Sequence, residues 1–172
     1  AFYPNDPSFR TFTFDQVYLD YKRQIRSLIE GGVDILMVET IFDALNSKAA
    51  LVAIQDVFEE DNMCLPIIIS AAVGLGGETM ISAQKAEALW NAVAHVKPLA
   101  VGLNCSLGPE QMRPFIAELS SVADCFVSCY PNAGMPDALS ETGFPYLPLD
   151  MYERLKDFAT SGFINLAGGC CG

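Results

Sequence analysis

The chain has 172 residues, 51% of them hydrophobic and 18% charged, which is enough apolar material for a full core and too little polarity for disorder. Its 21 acidic residues outnumber 10 basic ones, and a net charge of −11 argues against nucleic acid or an anionic membrane as partner. No apolar run approaches the ~20 residues of a membrane span, and no signal peptide is visible.

From the N-terminus, Thr13 and Gln16 form a T-x-x-Q capping box, and Val17, Tyr21, Ile25 and Leu28 follow at helical spacing until Gly31-Gly32. A first apolar run, VDILMVE (33–39), reads as a strand. Asp43 is placed to cap a helix over 44–59, and LPIIISAA (65–72) is the second strand. The glycine-rich VGLGGETM (73–80) lacks the spacing of a dinucleotide or phosphate loop. Ser82 is placed to cap a helix over 83–95, LAVGLNC (99–105) is the third strand, and Pro109 suits the first turn of a helix over 109–120. CFVSCY (125–130) is the fourth strand; 131–148 is a long irregular loop; Asp150 is expected to cap 151–160, which Gly162 closes; FINLA (163–167) is the fifth strand.

The strand-like runs are almost uninterrupted in apolar character and recur about every thirty residues, as buried parallel strands alternating with helices do. The fold class is therefore α/β, either an open doubly wound sheet or a (β/α)8 TIM barrel. No linker or domain boundary divides the chain. It opens on Ala1 and stops on Gly172, so we expect residues 1–172 to be a single partial barrel domain from a longer chain, since a whole barrel needs about 250 residues.

Both architectures place functional sites at the C-terminal ends of strands. The polar residues there are Glu39, Asn104-Cys105 and, after the fifth strand, Gly168-Gly169-Cys170-Cys171. These ends belong to alternate strands, which feed one interior layer of a barrel, so Glu39, Cys105 and the cysteine pair are expected to converge on one rim. Three thiols without a fourth protein ligand suit a catalytic metal, and soft thiolates select zinc. The two glycines are expected to let the backbone turn so that both neighbouring thiols reach one ion.

A disulfide framework is the competing reading of six cysteines, but those scaffolds are short and poor in core. Adjacent Cα atoms about 3.8 Å apart also lie inside the ~4.4 Å minimum for a bridge. A reduced, cytoplasmic protein is expected. Cys64, Cys125 and Cys129 read as small buried hydrophobes, His95 as a helix-end or surface residue, and Trp90 as core.

GLNCSLGP (102–109), YPNAGMP (130–136), NLAGGCCG (165–172) and GGVDILMVETIFDALNSKAAL (31–51) closely resemble the homocysteine-binding domain of the homocysteine S-methyltransferase family. The resemblance runs in order along the whole chain. ETIFD (39–43) and PNAG (131–134) draw it toward the cobalamin-dependent methionine synthases rather than the betaine- or S-methylmethionine-using members. It implies a (β/α)8 barrel in which Zn2+ is held by Cys105, Cys170 and Cys171 and homocysteine sulfur takes the open position. It further implies that Glu39 receives the substrate amino group and that Asn104 helps orient the site. It implies methylcobalamin and methyltetrahydrofolate on other domains of the same polypeptide, beyond this chain.

Against that pattern the chain lacks the first three strands and the last helix, leaving about strands 4 to 8. The loop 74–88 is shorter than usual, with Ala83-Gln84-Lys85 in place of Gly-Gln-Thr. Runs 33–39 and 163–167 would then be bare sheet edges, so residues 1–172 alone are expected to be poorly soluble or partly ordered. A non-catalytic zinc or thiol redox protein and a plain structural domain are the alternatives from other classes.

Overall fold

The computed structural model describes residues 5, 6, 8–79 and 83–172. Helix α1 (Phe14–Glu30) starts at the expected capping box: Thr13 Oγ1 accepts the Gln16 N–H at 3.2 Å and Gln16 Oε1 accepts the Thr13 N–H at 3.0 Å. It lies against α2 (Ala44–Asp61), which Asp43 caps through the Leu45 N–H. Between them, β1 runs over Leu36–Ile41, three residues later than the apolar run begins. The reason is the closing turn of α1. The Val33 N–H donates to Leu28 and the Gly32 N–H to Ile29, so the chain is free to pair only from Leu36, whose N–H meets Pro66 O.

Strands β2 (Ile67–Ala71) and β3 (Ala100–Asn104) are buried along their whole length. Between them α3 covers only Ala86–Val93, and Lys85 at its start makes no capping side-chain bond. The expected cap, Ser82, lies outside the described residues. Ala83 and Gln84 are drawn instead into a loop closed by bonds to Thr79. His95 sits in a 3-10 turn, Ala94–Val96.

Helix α4 (Pro109–Val122) begins at Pro109 as expected, and β4 spans Phe126–Tyr130. Helix α5 (Pro148–Thr160) begins three residues before the predicted start. Pro148, with φ already fixed, takes the first helical position, and Asp150 is not the cap but reaches back from the third, its Oδ2 accepting the Leu147 N–H at 2.9 Å. Strand β5 shrinks to Leu166–Ala167. Phe163 N–H closes α5 onto Phe158, and the Asn165 side-chain oxygen, rather than a backbone carbonyl, takes the Val127 N–H at 2.9 Å.

All five strands are parallel and ordered β1-β2-β3-β4-β5. The winding never reverses, which removes the doubly wound alternative with its switch point and matches the wall of a barrel. Right-handed crossovers in one direction place the connecting helices on one face. There Ile67, Ile69, Val101, Leu103, Val127 and Cys129 pack into one cluster with Leu51, Ile54, Leu89, Met112 and Ile116. The opposite face carries small residues at its centre, where Ser70, Gly102 and Ser128 stand in register. It carries exposed Met37, Phe126 and Leu166 elsewhere. Tyr18, Lys22 and Arg26 of α1 bond Asp56, Glu60 and Asp61 of α2, surface pairs worth little each.

Candidate metal centre

Cys105 follows the last residue of β3, and its N–H extends the ladder to Tyr130 O at 3.0 Å. Cys105 and Ser106 then both enter the left-handed region, with φ of 59° and 62°. Each such residue costs on the order of 1–2 kcal/mol, so two in succession are held there by their surroundings. The consequence is a sharp turn at the strand end, with the Leu107 N–H returning to Cys105 O at 2.7 Å.

The cysteine pair is laid alongside the chain that leaves β4. Gly168 N–H donates to Cys129 O, Cys170 N–H to Pro131 O, and Ala133 N–H to Cys171 O. The remaining donor, Cys171 N–H, meets the side chain of Asn132, whose Oδ1 accepts it at 3.1 Å. Asn132 is itself buried, with its own N–H bonded to Leu107 O. The glycines act differently from expectation. Neither Gly168 nor Gly169 adopts a positive φ. Gly168 is needed for close approach, since a Cβ there would lie 2.9 Å from the Tyr130 ring. The conformational demand falls on Gly172, with φ at +111° and a Cβ position 2.5 Å from Ala133 Cβ.

These supports bring three sulfurs together. Cys105 Sγ lies 3.7 Å from Cys171 Sγ, and Cys170 Sγ lies 4.0 Å from Cys171 Sγ. All three lie within 4.8 Å of one another. None is bonded to another, a disulfide being ~2.05 Å. A zinc–sulfur bond of about 2.3 Å makes the edge of a tetrahedron about 3.8 Å, so the sulfurs stand close to three of its corners. No histidine, cysteine or carboxylate completes the fourth corner among the described residues. Burial, with the Cys105 and Cys171 sulfurs beside it, pushes the Cys170 thiol up to about 11. A cation between the three sulfurs would favour their thiolate forms.

The other cysteines stay out of the cluster. Cys129 is buried with its thiol pushed up to about 12, its sulfur 3.4 Å from Met112 Sδ, as a core residue should be. Burial also raises Cys125, whereas Cys64 is exposed rather than the buried hydrophobe expected.

Glu39 is exposed in β1 and has no hydrogen-bond or ion-pair partner among the described residues. It is not one of the groups gathered around the sulfurs. Asn104 is 1% exposed, and its amide turns toward Thr40 and Ser70 rather than to solvent. Asn132 carries no signal of spacing that would mark it, because its partner is a backbone donor 39 positions away. Asn132→Ala is expected to weaken metal affinity about tenfold to a hundredfold without removing a ligand, measurable by competition with a chromophoric chelator.

A parallel barrel-type wall with three thiols gathered at its strand ends could hold a soft metal ion. A sequence model of the homocysteine S-methyltransferase family matches residues 1–172, and the chain belongs to that family. Among solved structures it is similar to the homocysteine methyltransferase MmuM from Escherichia coli in its apo form, with a TM-score of 0.69 and 16% identity. That alignment covers 96% of this chain and 55% of the other, so the chain spans about half the length of that structure. The carboxyl transferase domain of Rhizobium etli pyruvate carboxylase with pyruvate shares the fold more distantly, at a TM-score of 0.51 and 12% identity over 90% of this chain and 24% of that one.

Proposed function

We propose that this chain is the homocysteine-activating part of a zinc-dependent methyltransferase, and that the methyl acceptor is homocysteine and the product methionine. The observation that carries the reading is the trio of sulfurs at tetrahedral spacing with the fourth corner open. Cys105, Cys170 and Cys171 would hold the ion. Bound there, zinc supplies a site where an alkyl thiol, ordinarily protonated at neutral pH, is held as the thiolate.

The chain's own residues supply the rest. Cys105, Cys170 and Cys171 as thiolates would outweigh a divalent charge, so a substrate sulfur held beside them would keep its electron density. A sulfur held there would be suited to direct displacement, its lone pair forming the S–CH3 bond as the donor's leaving atom departs with the electron pair. The thiol proton leaves to solvent as substrate binds. Asn132 fixes the doublet through Cys171, and the left-handed turn at Cys105 presents the third sulfur. Glu39, an exposed carboxylate without a partner among the described residues, is suited to the substrate ammonium.

We read residues 1–172 as a partial barrel in a cytoplasmic polypeptide that also carries folate- and cobalamin-binding domains, with methylcobalamin as the immediate donor. The motifs ETIFD and PNAG support that choice over betaine or S-methylmethionine. Among the described residues no helix is long and apolar enough to cross a membrane.

The test is zinc content and zinc-edge X-ray absorption on the polypeptide that carries these residues, before and after homocysteine. One zinc per chain that gains a sulfur neighbour with substrate is expected. No zinc, or a coordination sphere indifferent to homocysteine, would overturn the reading. Methyl transfer from methylcobalamin, compared with betaine and S-methylmethionine, decides the donor.

A further inference from the structure

The geometry points to Asn104 as a positioning residue that fixes Thr40 in a left-handed conformation and thereby presents the Glu39 carboxylate to the substrate amino group; this rests on the homocysteine reading above. The β1–β2 ladder registers Leu36, Met37 and Val38 with Ile67, Ile68 and Ile69, then shifts and resumes only at Ile41 with Ala71. Glu39 and Thr40 therefore have no partner in the ladder. Thr40 also sits at φ 55°, where a β-branched residue is a genuine outlier. Something outside β1 must hold these two residues.

Asn104 does so from two strands away. Its Oδ1 accepts the Thr40 N–H at 3.1 Å, and its Nδ2 donates to Thr40 Oγ1 at 2.8 Å, a two-point clasp that fits one backbone conformation. Ser70 Oγ donates to the same Oδ1 at 2.7 Å, bracing the amide from the intervening strand. Two strands in a flat sheet stand about 9.6 Å apart, so a bridge by one asparagine also records how sharply the sheet curves here. The clasp is buried, Asn104 being 1% exposed, so water does not compete for it. Glu39, the residue before the clasp, is left exposed and without a partner among the described residues. Cys105, the residue after Asn104, belongs to the sulfur cluster. One buried amide thus links the sulfur-holding strand end to the carboxylate that the substrate's other end would meet.

The test compares homocysteine with 4-mercaptobutanoate, the same thiol acid without its amino group. Dissociation constants and zinc content are measured on the full polypeptide for the wild type, Asn104→Ala and Thr40→Gly. The wild type is expected to prefer homocysteine by tenfold or more. Asn104→Ala is expected to reduce that preference below threefold by weakening homocysteine alone, with zinc content kept and 4-mercaptobutanoate affinity within twofold. Against a Glu39→Gln background, Asn104→Ala is expected to change nothing further, which a general loosening of the fold would not produce.

Thr40→Gly deletes the hydroxyl end of the clasp and frees residue 40 to leave the left-handed region, and it decides the question by the same readings if Asn104→Ala does not fold. Equal weakening of both thiols, or a preference that survives either variant, would overturn the positioning role. A wild type that binds homocysteine at zinc without preferring it overturns this inference alone. A wild type with no zinc-bound homocysteine overturns the functional reading and this inference with it.

Discussion

Serine at Cys105, at Cys170 or at Cys171 is expected to abolish stoichiometric zinc and, with it, methyl transfer. Four-ligand zinc sites in small domains are worth roughly 10–16 kcal/mol, so each ligand carries about 3 kcal/mol, a loss of more than a hundredfold in affinity. The three variants should fall together because each sulfur occupies one corner of the same figure, at separations of 3.7 and 4.0 Å. Cys64→Ser is the control: exposed and outside the cluster, it should leave zinc content unchanged. Metal analysis after gel filtration separates the outcomes. Retention of one zinc by Cys170→Ser would mean that Cys170 is not a ligand, and its raised thiol would then reflect burial beside two sulfurs and nothing more.

Gly102→Ala is expected to be the most destabilising single methyl that can be added to this chain's sheet. A Cβ at Gly102 would stand 2.1 Å from both the carbonyl oxygen and the hydroxyl of Ser128, its register partner on β4. Overpacking costs typically ~1–3 kcal/mol, and a clash with backbone oxygen falls at or above that upper end. The melting temperature should drop by about 10 °C at this chain length. Adding Ser128→Gly should recover only part of the loss, because the carbonyl remains. Gly169→Ala, with nothing within 4 Å of its Cβ position, should change stability by less than about 0.5 kcal/mol. A Gly102→Ala protein as stable as the wild type would show that β3 and β4 stand farther apart than this packing requires.

β2 and β3 were the most legible because a strand buried on both faces must be apolar at nearly every position, and such runs stand out against amphipathic helices. The number and order of the strands followed from the spacing of about thirty residues. The ends were less legible. β1 and β5 start late because N–H groups at Val33 and Phe163 close the preceding helices, and a hydrophobic residue reads the same whether its amide serves a turn or a ladder. At α5, Pro148 and Asp150 each favour a helix start, and the pattern alone did not say that proline would come first.

The cysteines of the candidate centre were visible because strand ends in such folds are where polar residues have few structural reasons to be. The bonds through which Asn132 and Asn104 act were not. Asn132 meets a backbone N–H 39 positions away, and the clasp of Asn104 on Thr40 spans 64 positions. No local period encodes such bonds. The glycine motif misled in a related way: read locally it promised a tight turn, whereas Gly168 is needed because Tyr130 passes close by.

What the sequence by itself determined was the alternation of buried strands and helices, the thiol chemistry, and the family to which both belong, since these depend on residue type and order along the chain. The tertiary structure alone decided which way the sheet winds, how close the three sulfurs come, and which buried amides hold their neighbours. Those depend on distances between segments far apart in sequence, and they are set only when the strands close against one another.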